Sequence, residues 1–381
     1  MDFQTALPFV IMVIKTMVII FMFILPLVSY SVYAERRISA MIQDRLGPNR
    51  VGFAGLLQPL PDALKFMFKE DFTPAHVHKV YFWIAPALAM IPALLTVAVI
   101  PFGSMITSGD VTLFGRTFHV PEIGLVVANF DVGVLFVFAI ASLSVYGIVI
   151  GGWASNSKYP FLGGIRSSAQ MISYELAMGL SAIPVFLIAQ SLNLSQIVQY
   201  QAEHGWSVLP FFVQSMSAFD WRSFVLWVPM LVSFLIFLIA SFAETNRLPF
   251  DLPESETELV GGYHTEYSSM KFALFFLGEY AAMIVVSALM VTLFFGGWHF
   301  PFLPASTLGM ETVTSIKYSI LHVATFSIKL VLFLILFIWV RWTLPRFRYD
   351  QLMHLGWKIL LPLALGNIFL TAVLLVLVGK G

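Results

Sequence analysis

Eight long apolar stretches constrain this chain more than any other feature of its sequence. They lie at about residues 8–33, 78–102, 131–153, 169–190, 224–243, 271–296, 318–340 and 356–378. A lipid bilayer is crossed by about 20 consecutive apolar residues in a helix. The runs are continuous rather than alternating, which favours helices over a membrane β-barrel. The sequence therefore predicts an all-α integral membrane protein with eight transmembrane helices, forming a single polytopic domain over residues 1–381.

Composition and charge support this fold class and exclude several others. The chain is 59% hydrophobic and only 11% charged, which does not fit a disordered chain, a nucleic-acid binder or an ordinary cytosolic enzyme. Because it contains no cysteine, disulfides, thiolate-bound zinc and iron–sulfur clusters held by this chain are excluded. The sequence therefore predicts no metal site in this chain.

Basic residues are distributed unequally between the two sides of the predicted bundle. The connections on one side hold 15 Lys and Arg residues, and those on the other side hold four. Positive charge marks the cytoplasmic or matrix side of membrane proteins. We call this side the inner side, and the rule predicts that both termini face the opposite, outer side.

Two long inner connections, 34–77 and 244–270, hold most of the charge and are the predicted site of function. In the first, Gln58, Asp62, Lys65 and Lys69 recur on one helical face while apolar residues cover another. This pattern predicts an amphipathic helix lying in the membrane interface. It could be a plain surface anchor, or it could line an entry for an amphipathic ligand arriving from lipid.

The second inner connection holds six carboxylates within 23 residues: Glu244, Asp251, Glu254, Glu256, Glu258 and Glu266. A solvated acidic loop is one interpretation. However, apolar residues and prolines interleave with the charges, which indicates a partly buried loop. There, mutual repulsion and lost hydration would raise the pKa of some carboxyls, and such groups can pass protons.

Ionisable residues inside the predicted spans are functional candidates because charge in a membrane is costly. Glu175 and Glu279 lie roughly 9 and 12 Å from the inner ends of their spans, so one polar layer could hold both. Lys329 lies near the middle of the seventh span. A structural role for the two glutamates, such as pairing with a base, remains open. No nucleotide-binding motif and no pair of haem-ligating histidines is found, so electron chemistry would depend on partners.

The two inner connections resemble one family closely. The first matching segments are Glu35-Arg36-Arg37, Gln43 through Gly52, Gln58-Pro59 with Asp62, and Lys69-Glu70. The second are Ala243 through Arg247, Pro249-Phe250-Asp251, Glu254 through Leu259, Gly262-Tyr263-His264 and Glu266-Tyr267, with Ser173-Tyr174-Glu175 and Gly278-Glu279-Tyr280. They are similar to the signatures of the quinone-site membrane subunit of respiratory complex I, the H-type subunit of the bacterial enzyme and subunit 1 of the mitochondrial one. Arg37, Pro61, Ser255, Thr257 and Gly261 depart from residues common in the family, but every ionisable position is kept.

The resemblance implies a membrane subunit of the proton-translocating NADH–quinone oxidoreductase. Such a subunit forms a quinone cavity with peripheral subunits, next to the terminal iron–sulfur subunit and small membrane subunits, while NADH, FMN and the iron–sulfur clusters belong to partners. Ubiquinone is the expected substrate and the bacterial inner membrane the expected location. The implied proton relay comprises Asp251, Glu254, Glu256, Glu244, Glu175 and Glu279. The residues implied to shape the cavity are Arg36, Arg45, Asp62 and Arg247.

Two other functions remain compatible with the sequence. One is the equivalent subunit of a membrane-bound hydrogenase or related dehydrogenase, which would use another electron donor. The other is a stand-alone secondary transporter, because intramembrane glutamates and lysines also fit that class. A transporter explains poorly why two long polar connections lie on one side.

Overall fold

The computed structural model describes residues 12–106, 109–113, 116–120, 123–210, 224–251, 261–301 and 316–379. Within these ranges, eight helices are long and apolar enough to cross a membrane, which confirms the predicted fold class. They are α1 (Met12–Ile42), α3 (Lys79–Val99), α4 (Gly133–Ala154), α5 (Lys158–Ala189), α7 (Trp227–Glu244), α8 (Ser269–Phe294), α9 (Ile316–Thr343) and α10 (Tyr349–Val378).

Shorter elements lie in the connections. On the inner side, α2 (Pro59–Phe68) follows α1. On the outer side, α6 (Leu194–His204) follows α5, and Asn193 caps it by accepting hydrogen bonds from the amides of Ser195 and Gln196. The outer connection between α3 and α4 forms two small antiparallel ribbons that the sequence did not predict. Their strands are β1 (Met105–Ile106), β2 (Gly109–Leu113), β3 (Arg116–Val120) and β4 (Ile123–Gly124), with β1 paired to β4 and β2 to β3.

Three helices extend beyond the apolar stretches that predicted them. Helix α1 continues to Ile42 instead of ending near 33, α5 begins at Lys158 instead of near 169, and α10 begins at Tyr349 instead of near 356. Hydropathy marks the part of a helix that matches the lipid, whereas the backbone hydrogen-bond ladder continues through polar residues. All three extensions are on the inner side, so they bring charged residues to the inner end of the bundle.

Helix α8 occupies the centre of the bundle. In the most apolar part of α8, 72% of the residues are buried, whereas in the most apolar part of α1 only 11% are buried. A side chain on Gly278 would bring a Cβ within 3.2 Å of Ala89 O in α3, and one on Gly147 of α4 would come within 2.5 Å of Ala89 N. Small residues thus let α3, α4 and α8 approach closely. This close packing fixes the backbone of α8 beside Glu279.

Candidate functional site

A buried cluster of charged residues joins four elements at the inner end of the bundle. Arg247, just after α7, places NH1 3.2 Å from Glu35 Oε2 of α1 and Nε 2.6 Å from Glu279 Oε1 of α8. Only 4% of the Arg247 side chain is exposed. The arginine therefore bridges two carboxylates that come from helices distant in sequence.

Two further side chains complete the environment of Glu35. The guanidinium of Arg341 in α9 forms a salt bridge with Glu35 Oε1, and the hydroxyl of Tyr280 donates to Glu35 Oε2 at 2.7 Å. The guanidinium of Arg247 also lies 4.2 Å from the centre of the Tyr280 ring. With two carboxylates and two guanidinium groups, these ion-pair partners balance in formal charge, which reduces the cost of burying them.

Arg247 stays protonated because of the groups around it. Burial alone would lower the pKa of Arg247, but Glu279, Tyr280 and Glu35 raise it well above its ordinary value. The arginine therefore stays a fixed positive charge through any change in the protonation of its neighbours. A change in the charge of Glu279 or Glu35 therefore alters the electrostatic energy of the other charged residues in the cluster.

The turn that carries Arg247 is held rigidly by Gln170 of α5. The Gln170 amide nitrogen donates to Ala243 O at 2.7 Å and to Phe250 O at 3.0 Å, and it lies 3.2 Å from Asn246 Oδ1. Asn246 adopts a left-handed backbone with φ 49°, a conformation that asparagine tolerates better than most residues. Since the two hydrogens of one buried amide group satisfy both carbonyls, α5 positions the turn that carries Arg247.

Glu244 and Glu175 form a second acidic group next to this cluster. Glu244, the last residue of α7, has an Oε2 atom that is buried without a hydrogen-bond partner, and it interacts electrostatically with Glu175 of α5. Glu244 and Glu279 both line one cavity of about 50 Å³, together with Thr245, Asn246 and Tyr263 among others. That volume exceeds what one water molecule needs. The described contacts thus connect Glu279 to Glu244 through a water-sized cavity, and Glu244 to Glu175.

Asp251 lies four residues after Arg247. It is 6% exposed, and its Oδ2 atom is 3.3 Å from Arg346 NH2 in the segment after α9. The Phe347 amide donates to Pro249 O, and the Phe347 ring stacks on Phe250. The segment after α9 therefore covers residues 249–251 of the second inner connection. The predicted relay residues Glu254 and Glu256 lie outside the described residues.

The predicted cavity residues of the first connection occupy more exposed positions. Arg36 NH1 pairs with Asp62 Oδ2 at 2.8 Å, with 49% and 25% of the two side chains exposed. Arg45 is exposed and donates to Gln43 Oε1. Of the four predicted cavity residues, only Arg247 lies in the buried cluster.

Helix α2 presents the exposed apolar surface that its pattern predicts. Leu60, Leu64, Met67 and Phe68 are each between 49% and 85% exposed. An apolar face of this kind is stable only against lipid, a ligand or another protein. It adjoins the inner ends of α1 and α8, which carry Glu35 and Glu279.

Sequence reasoning did not single out three members of the cluster: Glu35, Tyr280 and Arg341. Glu35 and Tyr280 stand inside the family-like segments, while Arg341 contributed only to the charge count. A signal was present, since each of the three is a polar residue on the inner half of a spanning helix. Some partners, such as Glu35 and Arg247, are more than two hundred residues apart, so the sequence does not indicate which residues pair.

Similarity to known proteins extends over most of the chain. The profile of the NADH dehydrogenase family matches residues 14–372. The chain is 51% identical over 359 residues to an H-type subunit of the NADH-quinone oxidoreductase of Geobacter metallireducens, covering 94% of this chain and 95% of that one. It is 47% identical over 365 residues to the corresponding protein of Cytophaga hutchinsonii, covering 95% and 97%. It is also 49% identical over 345 residues to NADH-quinone oxidoreductase subunit 8 of Rhodothermus marinus, covering 90% and 91%.

Proposed function

The chain belongs to the NADH dehydrogenase family, and on that premise we propose that it is the membrane subunit of an NADH–quinone oxidoreductase that admits quinone and couples its reduction to proton translocation. The chain acts as one part of this multi-subunit enzyme. Partner subunits would supply NADH oxidation, FMN and the iron–sulfur clusters. A ubiquinone would be the substrate.

The amphipathic helix α2 would form the entrance. Its exposed leucines, methionine and phenylalanine offer an apolar surface at the depth where a quinone tail lies in the membrane. The helix adjoins α1 and α8, so a headgroup that passes it approaches the inner end of the bundle. Peripheral subunits docked on this inner side would close the cavity above Asp251 and the Arg36–Asp62 pair.

The buried carboxylates would carry the coupling. Reduction of quinone takes up two electrons and two protons for each quinol formed, so it changes the charge balance at the cavity. Glu279 would sense this change through Arg247, whose positive charge is fixed. A proton could then move between Glu279 and Glu244 by way of water in the cavity they share, and onward to Glu175.

One observation carries this proposal: Glu279 is bound to Arg247 and lines a cavity together with Glu244, which in turn interacts with Glu175. Two carboxylates close together in a low-dielectric site cannot both be charged at low cost. Such a pair passes protons readily when a neighbouring charge changes. Asp251, Glu254 and Glu256 would link this group to the quinone cavity.

The basic inner side would face the cytoplasm, and both termini would lie on the periplasmic side of a bacterial inner membrane. The excess of Lys and Arg on the inner connections supports this orientation. The inner side would then also be the surface on which the peripheral quinone-site and terminal iron–sulfur subunits dock. Small membrane subunits would adjoin the bundle within the membrane.

The Glu279→Gln variant tests the relay. Glutamine can still accept a hydrogen bond from Arg247, so we expect near-normal assembly, while quinone reduction and coupled proton pumping fall together by roughly tenfold or more. Glu203→Gln, which changes an exposed glutamate on outer helix α6, is the matched control and should leave both activities unchanged. Normal turnover and normal pumping in assembled Glu279→Gln enzyme would contradict the relay.

Purification from native membranes tests the assignment to a complex. A subunit of the oxidoreductase should be recovered with flavin and iron–sulfur subunits. Recovery alone or as a homo-oligomer would instead indicate a stand-alone transporter. Recovery with a hydrogenase module, or with another input module that does not oxidise NADH, would contradict the assignment to an NADH-dependent enzyme.

A further inference from the structure

We propose that Lys271 is a positioning residue that anchors one end of helix α2 to α8 and thereby sets the width of the opening through which the quinone tail enters. The inference rests on the proposed function, because it assigns a role within the same quinone entrance. It concerns a lysine and a contact network that the relay and the predicted cavity residues leave unused.

Lys271 lies in the first turn of α8 and is buried, with 4% of its surface exposed. Its ammonium nitrogen is 3.0 Å from Asp71 Oδ1 and donates to Thr73 Oγ1 at 2.7 Å. The same nitrogen lies 4.2 Å from the centre of the Trp83 ring and 5.1 Å from that of Phe82, both in the first turns of α3. Lys271 thus joins the segment that follows α2 to the start of α3 and to α8.

A serine two residues earlier binds the end of α2 itself. Ser269 Oγ lies 3.0 Å from Phe66 O and 2.9 Å from Lys69 O, so its one hydroxyl hydrogen is shared between these two carbonyls. The last carbonyls of a helix have no partner within the helix, so this hydroxyl satisfies groups that would otherwise need water. The C-terminal end of α2 is therefore attached to α8 both directly, through Ser269, and through the Lys271 contacts.

At the opposite end of α2, the Arg36–Asp62 pair connects the helix itself to α1, and 49% of the arginine side chain is exposed to solvent. In the segment that precedes α2, the hydroxyl of Tyr33 in α1 also donates to Ala54 O at 2.6 Å. Exposed ion pairs are screened and contribute little. The helix itself is therefore held more firmly at α8, through the Ser269 hydroxyl, than at α1, through an exposed ion pair. The opening for quinone would then lie on the α1 side, and its width would depend on how firmly Lys271 holds the other end.

Kinetics with two quinones test this role in the assembled complex. Losing one interaction of ordinary strength changes an equilibrium about fivefold. In Lys271→Met, we therefore expect KM for a ubiquinone with a long isoprenoid tail to rise by about that factor. Turnover at saturation should stay within about twofold, and KM for a short-tailed ubiquinone should change little. Lys271→Arg keeps the charge and the aromatic contacts and should restore most of the wild-type KM.

Two variants complete the design. Lys79→Met removes an exposed inner-side lysine at the start of α3 and serves as the matched control, with no expected change. Asp71→Asn removes only the ion pair, and because Asp71 is 39% exposed it should fold normally and show a smaller shift in the same direction. If Lys271→Met fails to assemble, Asp71→Asn decides the question alone. Equal KM shifts for both quinones, or no shift in either variant, would overturn the proposal.

Hydrogen exchange of residues 59–73 in the complex gives a reading that does not depend on activity. We expect faster exchange in Lys271→Met than in the wild type or in Lys79→Met, because the end of α2 is released. Faster exchange with an unchanged KM for the long-tailed quinone would overturn the positioning role and leave the quinone-site function intact. Failure of the wild-type complex to reduce quinone at all would instead contradict the proposed function.

Discussion

The inner and outer halves of the bundle both bury ionisable groups, but they stabilise them in different ways. In the inner half, Arg247 is bound by Glu35 and Glu279, side chains that can themselves gain or lose a proton. In the outer half, Lys329 of α9 is bound by backbone. Its ammonium group donates to Phe295 O at 2.8 Å, Gly297 O at 2.9 Å and His299 O at 2.8 Å.

The partners of a buried charge therefore indicate its role better than its depth does. Lys329 uses three hydrogen-bond donors on carbonyls of the turn that follows α8, close to the C-terminal end of that helix, where the helix dipole also favours a positive charge. Its nitrogen lies 4.0 Å from the centre of the Trp206 ring as well. Backbone carbonyls do not titrate, so these partners of Lys329 cannot take up or release a proton. The contact instead stabilises the turn after α8. In the inner half, by contrast, a proton moved on one carboxylate changes the energy of the next.

The largest effect is expected from removing the central charge of the inner half. Arg247→Met would leave Glu35 and Glu279 buried beside each other with less compensation, and breaking a buried ion pair in this way costs about 3–5 kcal/mol. We expect the chain to be nearly absent from assembled complex in membranes, as measured by native gel electrophoresis. Arg348→Met removes an exposed arginine and should assemble normally. Abundant assembled Arg247→Met complex would show that the inner cluster is not what holds these four elements together.

A smaller effect is expected in the outer half. Lys329→Met would leave three partly buried carbonyls without this donor, at a cost of about 1–3 kcal/mol, so the apparent Tm of the complex should fall. Quinone reduction and pumping per assembled complex should remain at the wild-type level. If pumping fell while assembly held, Lys329 would belong to a proton pathway, and the contrast between the halves would fail.

The smallest effect concerns acid stability, in which the two halves should behave alike. Burial, with the nearby charges of Lys329 and His322, lowers the pKa of His299 to about 4, and burial lowers that of His264 on the inner side to about 4. The unfolded chain binds a proton near pH 6.5, so each histidine lowers stability as pH falls from 6.5 towards 4, by roughly 1–2 kcal/mol at pH 5.

The measurement is the apparent Tm of the complex between pH 7 and pH 5. In His299→Gln and in His264→Gln, the fall in Tm over this interval should be smaller than in the wild type. An unchanged pH dependence in either variant would mean that the corresponding histidine is protonated at no extra cost in the folded protein.

Some features of the site could be predicted and others could not, for identifiable reasons. Glu175 and Glu279 could be named as candidates because a glutamate within an apolar run is unusual wherever its partners lie. The amphipathic pattern of 55–69 likewise predicted α2, since helical periodicity is a local property. The pairing of Glu35 with Arg247, separated by 212 residues, could not be predicted, because nothing local to either residue encodes it.

Similar depth does not by itself identify which carboxylates are neighbours. From their depth, the sequence predicts only that Glu175 and Glu279 could join one polar layer. In the structure, Glu244 is the residue that interacts with Glu175 and shares a cavity with Glu279. Depth fixes one coordinate of a side chain, whereas contact also requires that two helices turn the right faces toward each other.

The sequence by itself determined the eight apolar helices, the side that carries the positive charge and the family. These follow from residue-by-residue transfer energies and from the order of side chains along the chain. Only the tertiary structure decided that Arg247 bridges Glu35 and Glu279, that Lys329 is bound by backbone carbonyls, and that Lys271 ties α2 to α8. Each of these depends on how helices distant in sequence pack, and in a membrane that packing is set by close contacts between small residues such as Gly278 and Ala89.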